Sequence, residues 1–431
     1  MLSAHVISLV FAALLIASLL VKLWLAGRQI RHVAQNRAQV PGAFASVVTP
    51  ENHQKAADYS IAKLRLGLIS MAIGTATLVG WTLLGGLDWL NQHLLGWWMT
   101  HARDHFSSPW LGLSYQLALL GAVSVIGGLI DLPLALYNTF RLEQRYGFNR
   151  MTLGLWLRDA LMGLVLGVLI GAPIAGLILW LMGAAGGLWW LWAWGVWTGF
   201  SLLMMLIFPT FIAPLFNKFE PLKDETVKSR VEALMQRCGF ASKGLFVMDG
   251  SKRSAHGNAY FTGLGAAKRV VFFDTLLSRL SPGEVEAVLA HELGHFKHKH
   301  VLKRMVMMFA VSLLAFWLLG WLSQQVAFYT GLGVQPNLDA PNDALALMLF
   351  MMAAPVVMFF TAPIMASFSR KDEFQADAYA RANASGQDLA QALVKLYEDN
   401  ASTLTPDPLY VRFYYSHPPA AERLAALALP T

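Results

Sequence analysis

Residues 153–215 read LGLWLRDALMGLVLGVLIGAPIAGLILWLMGAAGGLWWLWAWGVWTGFSLLMMLIFPTFIAPL, and no charged side chain follows Asp159 in this stretch. An α-helix needs about 18 apolar residues to cross the hydrocarbon core of a bilayer, and each half of this stretch is longer than that. The sequence Gly-Ala-Ala-Gly at 183–186 separates the two halves. The stretch therefore predicts two consecutive membrane spans joined by a short turn.

Apolar stretches of the same kind recur along the whole chain. Counting the two above, they predict membrane spans at roughly 5–26, 66–98, 112–139, 153–183, 187–215, 303–330 and 343–368. Apolar residues make up 56% of the 431 residues and charged residues only 14%, whereas a typical soluble domain has roughly 25% charged residues. A soluble or disordered chain is excluded, because its polar residues could not cover that much apolar surface. The predicted fold class is therefore an all-α multi-pass membrane protein with seven transmembrane helices.

Basic residues in the loops predict the orientation, because Lys and Arg accumulate on the cytoplasmic side of a membrane. The loops after the first and third spans are basic, with Arg28, Arg31, Arg37, Lys55, Lys63, Arg65, Arg141, Arg145 and Arg150. In the other short loops between spans, Arg103 is the only basic residue. We therefore expect the amino terminus outside and the carboxyl terminus in the cytosol. The net charge of +7 then faces anionic lipid, and no nucleic-acid partner is needed to explain it.

This arrangement divides the chain into four segments. They are spans one to five over 1–215, a cytosolic catalytic segment over 216–302, spans six and seven over 303–368, and a cytosolic C-terminal segment over 369–431. In the first cytosolic segment, residues 225–239 have the pattern of an amphipathic helix. Short β-prone runs follow at 245–248, 258–261 and 270–273. The cytosolic part is therefore expected to be an α+β region.

The sequence HELGH at 291–295 has the spacing of a zinc-protease helix. Two histidines four residues apart on a helix project from the same face, as two ligands of one metal ion must. Glu292 lies beside them, where its carboxylate can take a proton from the attacking water. The single cysteine, Cys238, excludes a cysteine-rich metal site, so His, Asp or Glu must supply the remaining ligand.

The helix that carries this motif has a predicted start. Ser281 is suited to be the N-cap, Pro282 fits the first helical position, and Glu284 completes an S-x-x-E capping box. The helix therefore begins about three turns before His291.

Glu373, in the run SRKDEFQAD at 369–377, is the strongest candidate for the third ligand of a catalytic metal site. Two predicted spans separate it from His295, and an even number of crossings returns the chain to the same side of the membrane. Asp377, one helical turn further, is suited to accept a hydrogen bond from the free ring N–H of a ligand histidine. Asp372 is the alternative third ligand, and a solvated helix end is the alternative interpretation of the whole run.

His298 and His300 follow the HELGH motif among lysines. A polar helix at the membrane interface explains both residues without giving them a role in the site. His298, three residues after His295, remains an alternative metal ligand.

Several motifs occur in one order along the second part of the chain. They are YGFNRMT at 146, PLFNKFEPL at 214, GNAYFTG at 257, KRVVFFDTLL at 268, HELGH at 291, SRKDEFQAD at 369 and YYSHPPAAERL at 414. Together they resemble the type I CAAX prenyl proteases, which are seven-span zinc metallopeptidases of the gluzincin kind. The resemblance runs from about residue 142 to the end, whereas the first 140 residues match only in hydropathy.

The resemblance implies one zinc ion per chain, bound by His291, His295 and Glu373, with Glu292 as the general base. It also implies that His417, in the SHPP motif, stabilises the oxyanion of the tetrahedral intermediate. The family's spans further imply that the helices surround an intramembrane chamber, with the zinc at its cytosolic end.

A substrate site is implied as well. An extended substrate is expected to pair with an edge strand formed by Asn258, Ala259, Tyr260 and Phe261. The alternative is a packed strand with Tyr260 and Phe261 in the core. Arg423 is expected to support the metal ligands, with a surface helix position as the alternative.

We interpret the chain as a membrane-embedded zinc endopeptidase that cleaves a prenylated or membrane-associated peptide or protein at the cytosolic face of a lipid bilayer. Related membrane metallopeptidases with the same motif degrade damaged membrane proteins, so a quality-control protease is the alternative. A zinc transporter or a metal-dependent scaffold is a further alternative, although neither explains Glu292 inside the motif. Short loops and the final residues ALPT favour a bacterial inner membrane over the endoplasmic reticulum.

Overall fold

The computed structural model describes residues 3–102, 108–240, 244–262 and 269–428. Within these residues seven helices are long and apolar enough to span a membrane, which confirms the predicted number. They run over Ala4–Gln35, Pro50–Trp81, Trp110–Tyr146, Leu153–Ala184, Gly186–Phe216, His300–Leu322 and Asp343–Asn383, and are called the first to the seventh span below. π-Helical segments lie within three of them, at Asn138–Glu143, Gly167–Gly171 and Phe208–Ile212.

The apolar run 66–98 predicts one helix, but the structure has two, Pro50–Trp81 and Gly86–His101. The polar start of the first is stabilised by Thr49, whose hydroxyl accepts a hydrogen bond from the helix backbone. The break between the two helices lies at Gly85, whose φ of 74° favours glycine. Hydropathy does not reveal this break, because both flanking segments are apolar.

The sixth and seventh spans also end at other residues than predicted. In the run 303–330, one helix ends at Leu322 and a separate short helix covers Val326–Gly331. The run 343–368, in contrast, continues past its predicted end as the helix Ala362–Asn383. This continuation is polar, so the apolar pattern stops before the helix does. The third candidate ligand therefore lies in the polar end of the seventh span itself.

The second and third spans bury few of their residues. In the most apolar windows of the second and third spans, 0% and 6% of the residues are buried. Helices that pack tightly against one another bury one face each. The exposure agrees with lipid on the outer face and open space on the inner face, as expected for an intramembrane chamber.

The segment 216–302 contains a sheet of four strands in the order β1-β2-β4-β3. The strands are Phe219–Pro221 (β1), Leu245–Met248 (β2), Ala259–Thr262 (β3) and Arg269–Phe273 (β4). β2 and β4 are parallel, and the two outer pairs are antiparallel. The structure thus has the three expected strands, with shifts of about one residue at their ends, and adds the short β1. Asn258 lies just before β3, which forms one edge of the sheet.

Short helices complete the structure. They cover Gly42–Phe44, Glu225–Arg237, Gly250–Lys252, Asp274–Leu277, Pro282–Lys297, Phe359–Thr361, Gly386–Asp399, Pro408–Tyr414 and Ala420–Ala428. We call Pro282–Lys297 the catalytic helix. Its buried face, with Val285, Leu289 and Leu293, packs in one apolar cluster with Leu234 and Phe272. This core fixes the helix against the sheet.

An ion pair connects the fourth span to the segment 216–302. Arg253 Nε donates to Asp159 Oδ2 over 2.8 Å, and Arg253 Nη1 donates to Asn217 Oδ1 over 2.8 Å. Both charged side chains are only 18% exposed, so their pairing is less screened than a surface contact. The fourth span is thus joined by a defined contact to the chain that leads into β3.

Candidate active site

The catalytic helix begins where the sequence predicts. The Ser281 hydroxyl accepts a hydrogen bond from the Glu284 N–H over 3.4 Å, and the Glu284 carboxylate accepts one from the Ser281 N–H over 2.7 Å. This reciprocal pair is the predicted capping box, and Pro282 stands at the first helical position. Lys395 Nζ, 2.7 Å from Glu284, pairs with the otherwise buried carboxylate. The start of the helix is therefore fixed three turns before the HELGH motif.

Three candidate ligands converge at one point. His291, His295 and Glu373 each offer a donor atom, and these atoms all lie within 4.8 Å of one another. The two Nε2 atoms are 3.2 Å apart, and the Glu373 carboxylate lies 3.4 Å from His291 Nε2 and 3.3 Å from His295 Nε2. Two spans separate the histidines from the glutamate along the chain, yet the fold brings them together. Asp372, the alternative ligand, instead pairs with Arg304 over 3.0 Å.

The glycine inside HELGH allows this approach. A β-carbon on Gly294 would lie 2.8 Å from Ala376 Cα and 3.1 Å from Ala376 O. Such contacts are not tolerated, so only glycine lets the catalytic helix lie this close to the helix that carries Glu373.

His291 is oriented by a hydrogen bond at Nδ1, the ring nitrogen that does not face the other candidate ligands. Its Nδ1 lies 2.8 Å from Asp377 Oδ1, which accepts the ring N–H and leaves Nε2 free for a metal. Arg423 donates to both oxygens of Asp377, over 2.6 and 2.8 Å. Arg423 is only 5% exposed, so it is a buried residue and not a position on the surface of its helix. The structure thus places Asp377 and Arg423 where they orient the histidine.

A second orienting contact was missed from the sequence. His300, expected at a polar interface, is buried, and its Nδ1 lies 3.0 Å from His295 Nδ1. Its Nε2 lies 2.9 Å from Gln375 Oε1. If His300 carries its proton on Nε2, it accepts the His295 Nδ1–H and leaves His295 Nε2 free. The placement depends on Lys299, whose φ of 57° turns the chain back between two helices.

His298 lies outside the group of donor atoms that the described residues form. It is exposed, its ring stacks on His300 with centroids 5.5 Å apart, and it meets the Tyr379 ring at 6.2 Å. The geometry therefore gives His298 no contact with the candidate ligands.

Glu292 lines a cavity of about 310 Å³ together with His291, Glu373, His417 and Arg423. Burial raises the pKa of the Glu292 carboxyl above its usual range, while the two nearby histidines oppose this shift. A general base works best when its pKa approaches the working pH. The position and the electrostatics of Glu292 therefore both suit proton transfer inside this cavity.

His417 reaches the same cavity from the C-terminal segment. Its Nε2 lies 3.4 Å from Glu373 Oε1, and its Nδ1 lies 2.9 Å from the Ser416 hydroxyl. Arg370 donates to the carbonyl of Tyr415 over 2.8 Å and so holds the backbone that precedes His417. No sequence pattern predicts this support by Arg370, because its partner is a main-chain group distant in the chain.

The donor set fits a metal ion. Glu373 Oε2 is buried and accepts no hydrogen bond from the described residues, a costly state for a carboxylate oxygen. Burial disfavours the charged form of His291, but the neighbouring carboxylates of Asp377 and Glu373 prevail and raise its pKa to about 9. The two carboxylates thus create a strong preference for positive charge between the ligands. A cation bound by two histidines and a glutamate satisfies both observations.

The expected substrate strand meets the cavity only at its beginning. Asn258 and Ala259 line the cavity, together with Gly257. The Tyr260 ring packs against Phe273, and the Phe261 ring packs in the apolar cluster beneath the sheet. The side chains of Tyr260 and Phe261 are both half-buried and do not line the cavity, so only the start of the strand meets the site.

Comparisons with known proteins agree with this geometry. A family model described as "CAAX prenyl protease N-terminal, five membrane helices" matches residues 29–218, and the model of peptidase family M48 matches residues 221–430. The first match extends the resemblance into the N-terminal part, where the motifs did not reach.

Individual relatives match over almost the full length. CAAX prenyl protease 1 of Saccharomyces cerevisiae is 34% identical over 97% of this chain and 94% of its own length. The CAAX prenyl protease 1 homolog of Oryza sativa subsp. japonica is 34% identical over 92% of both chains. The crystal structure of S. mikatae Ste24p superposes with a TM-score of 0.88, at 33% identity and 98% coverage of both chains. The chain therefore belongs to the CAAX prenyl protease branch of peptidase family M48, the membrane-embedded metalloproteases.

Proposed function

We propose that this protease is a zinc enzyme whose ion is held by His291, His295 and Glu373, one ion per chain. The observation that carries the proposal is the convergence of their three donor atoms within 4.8 Å, at a cavity that Glu292 and His417 also line. Two nitrogens and one carboxylate are a common ligand set of catalytic zinc, which keeps a fourth position open.

The roles of the surrounding residues follow from their positions. Bound zinc supplies a Lewis acid that polarises the scissile carbonyl and lowers the pKa of water. Glu292 takes the proton of the attacking water and passes it to the leaving amine. His417 donates a hydrogen bond to the oxygen that becomes negatively charged. Asp377 and Arg423 keep His291 in the orientation that leaves its Nε2 free.

We also propose that the substrate backbone pairs with β3. Asn258 O accepts a hydrogen bond from Phe273 N over 3.0 Å, so this pair is one of the hydrogen-bonded positions of the β3–β4 ladder. In an antiparallel ladder these positions alternate, which turns the backbone groups of Ala259 towards the open edge of the sheet. A peptide added there runs past the candidate ligands.

A proline at Ala259 tests this pairing, because it removes the outward backbone N–H. In this structure that N–H donates to Asn258 Oδ1 over 2.8 Å, and a paired substrate would take the place of this bond. We expect Ala259→Pro to lose most of kcat/KM while it keeps zinc. Ala259→Val keeps the N–H and serves as the control. Full activity of the proline variant would show that the substrate binds elsewhere.

The substrate class follows from the relatives' names. We propose a protein with a prenylated C-terminal CAAX sequence, with an unprenylated membrane protein as the second candidate. Purified protein should cleave a farnesylated CAAX peptide, lose this activity in a chelator and regain it with added zinc. Cleavage of only an unprenylated membrane-protein substrate under the same conditions would support a quality-control protease instead. No chelator-sensitive cleavage of either substrate would contradict the proposed enzyme.

The proposed arrangement in the membrane has the catalytic segment 216–302 and the C-terminal segment 369–431 in the cytosol. It rests on the basic loops after the first and third spans. The short loops further support a bacterial inner membrane as the location, with the endoplasmic reticulum as the alternative.

A further inference from the structure

The site cavity is one of three neighbouring cavities, each of which shares lining residues with the next. Tyr397, Asn400 and Ser402 line both the site cavity and a second cavity of about 290 Å³. A third cavity of about 350 Å³ lies between the first two spans and the helix Pro408–Tyr414. Together they form a path from the candidate metal site towards the membrane-spanning helices.

The second and third cavities also share Lys63, with Ser60 and Tyr415. Lys22 adds a second ammonium group to the third cavity. Among the described residues that line these two cavities there is no Asp or Glu, whereas Glu292 and Glu373 line the site cavity. The second and third cavities thus have ammonium groups and no carboxylate in their described lining, which favours an anionic group there.

Lys63 is held in position by a carboxylate that does not line the cavity. The Tyr59 hydroxyl donates to Glu143, with distances of 2.7 and 2.9 Å to its two oxygens. Lys63 Nζ donates to the Tyr59 hydroxyl over 3.3 Å and lies 3.6 Å from Glu143. Its side chain remains 51% exposed. An ammonium group has three donors, so at least one remains for a ligand in the cavity.

The substrate strand leads to this lysine. His256, which lines the second cavity, directly precedes Gly257 and Asn258 in the wall of the site cavity. His256 Nε2 lies 3.8 Å from Glu143, the residue that positions Lys63. An extended peptide that pairs antiparallel with β3 runs with its C-terminal side towards Asn258 and His256. The one anionic group that every peptide carries at this end is its α-carboxylate.

We propose that Lys63 binds the C-terminal carboxylate of the substrate, and thereby selects peptide bonds a short, fixed distance from the chain end. The proposal rests on the proposed function, because it needs a peptide in the site cavity. It makes Lys63 a specificity-determining residue with no part in the chemistry.

Two peptides of identical sequence test the proposal, one with a free C-terminal carboxylate and one with a C-terminal amide. The parent protein should cleave the acid with a kcat/KM about tenfold to a hundredfold higher, as expected for a hydrogen bond to a charged group. Lys63→Gln should remove most of this preference by slowing cleavage of the acid, with cleavage of the amide unchanged. Lys63→Arg should retain the preference.

The rate of cleavage of the amide peptide and the zinc content show whether each variant is intact. If Lys63→Gln binds less zinc than the parent, Lys63→Met replaces it in the test. Lys55→Gln is the matched control, because Lys55 lies on the same helix over the Phe148 ring and does not line either cavity. Equal cleavage of both peptides by the parent, or a preference that survives in Lys63→Gln, would overturn the assignment and leave the protease intact. A preference abolished only by Lys22→Gln would also overturn it. If the parent cleaves neither peptide, the proposed function itself fails.

Discussion

At the scale of single residues, Glu292 lines the site cavity but does not belong to the group of donor atoms that includes His291, His295 and Glu373. We therefore expect Glu292→Gln to bind one zinc per chain and to lose activity by roughly a hundredfold to ten-thousandfold, the usual contribution of general acid–base catalysis. Metal analysis and kcat/KM on one preparation check this. Cleavage at the parent rate would rule out Glu292 as the base.

His300 offers a second prediction at this scale, because it accepts a hydrogen bond from His295 in the tautomer that binds metal. His300→Ala should weaken zinc affinity by about tenfold to a hundredfold, as for other residues that orient metal ligands. His298→Ala is the control, since His298 is exposed and two residues away. Competition with a chelator measures both affinities. Equal affinities in the two variants would mean that the contact of His300 with His295 is incidental.

At the scale of elements, the site depends on how closely two helices approach. Gly294→Ala would place a β-carbon 2.8 Å from Ala376 Cα, so the catalytic helix and the helix that carries Glu373 must separate. We expect weaker zinc binding and a lower Tm. Gly154→Ala is the control, because it is a helical glycine with no atom within 4 Å of the added carbon. Thermal unfolding with and without zinc separates packing from metal binding. An unchanged zinc affinity would show that the helices adjust without moving Glu373.

The elements also show what a sequence can predict here. Hydropathy counts the spans, because a bilayer demands long apolar helices. It does not mark the break at Gly85, where both flanks are apolar, or the polar extension Ala362–Asn383. Motif spacing predicts that His291 and His295 share a helix face, because this depends on local geometry alone. The contact of His300 depends on the left-handed turn at Lys299, which no apolar or polar pattern encodes.

At the scale of the whole molecule, the proposed topology can be tested by labelling. After replacement of Cys238, single cysteines at Gln335 and Ala425 should react with a membrane-impermeant reagent from opposite sides, because one span separates their segments. Both positions are exposed. Oriented vesicles of known polarity provide the comparison. Labelling of both positions from the same side would contradict the arrangement and require an even number of crossings between them.

The extension of the seventh span into the site also determines when the site can form during biosynthesis. The histidine pair is translated before the sixth span, whereas Glu373 lies in the polar end of the seventh. At about 5–20 residues per second, a ribosome needs on the order of ten seconds to add the intervening chain. During this interval the nascent protein has two of the three donors, so it holds zinc weakly and has no complete active site. A protease translated in this order cannot complete its set of donor atoms until Glu373 has been added to the chain.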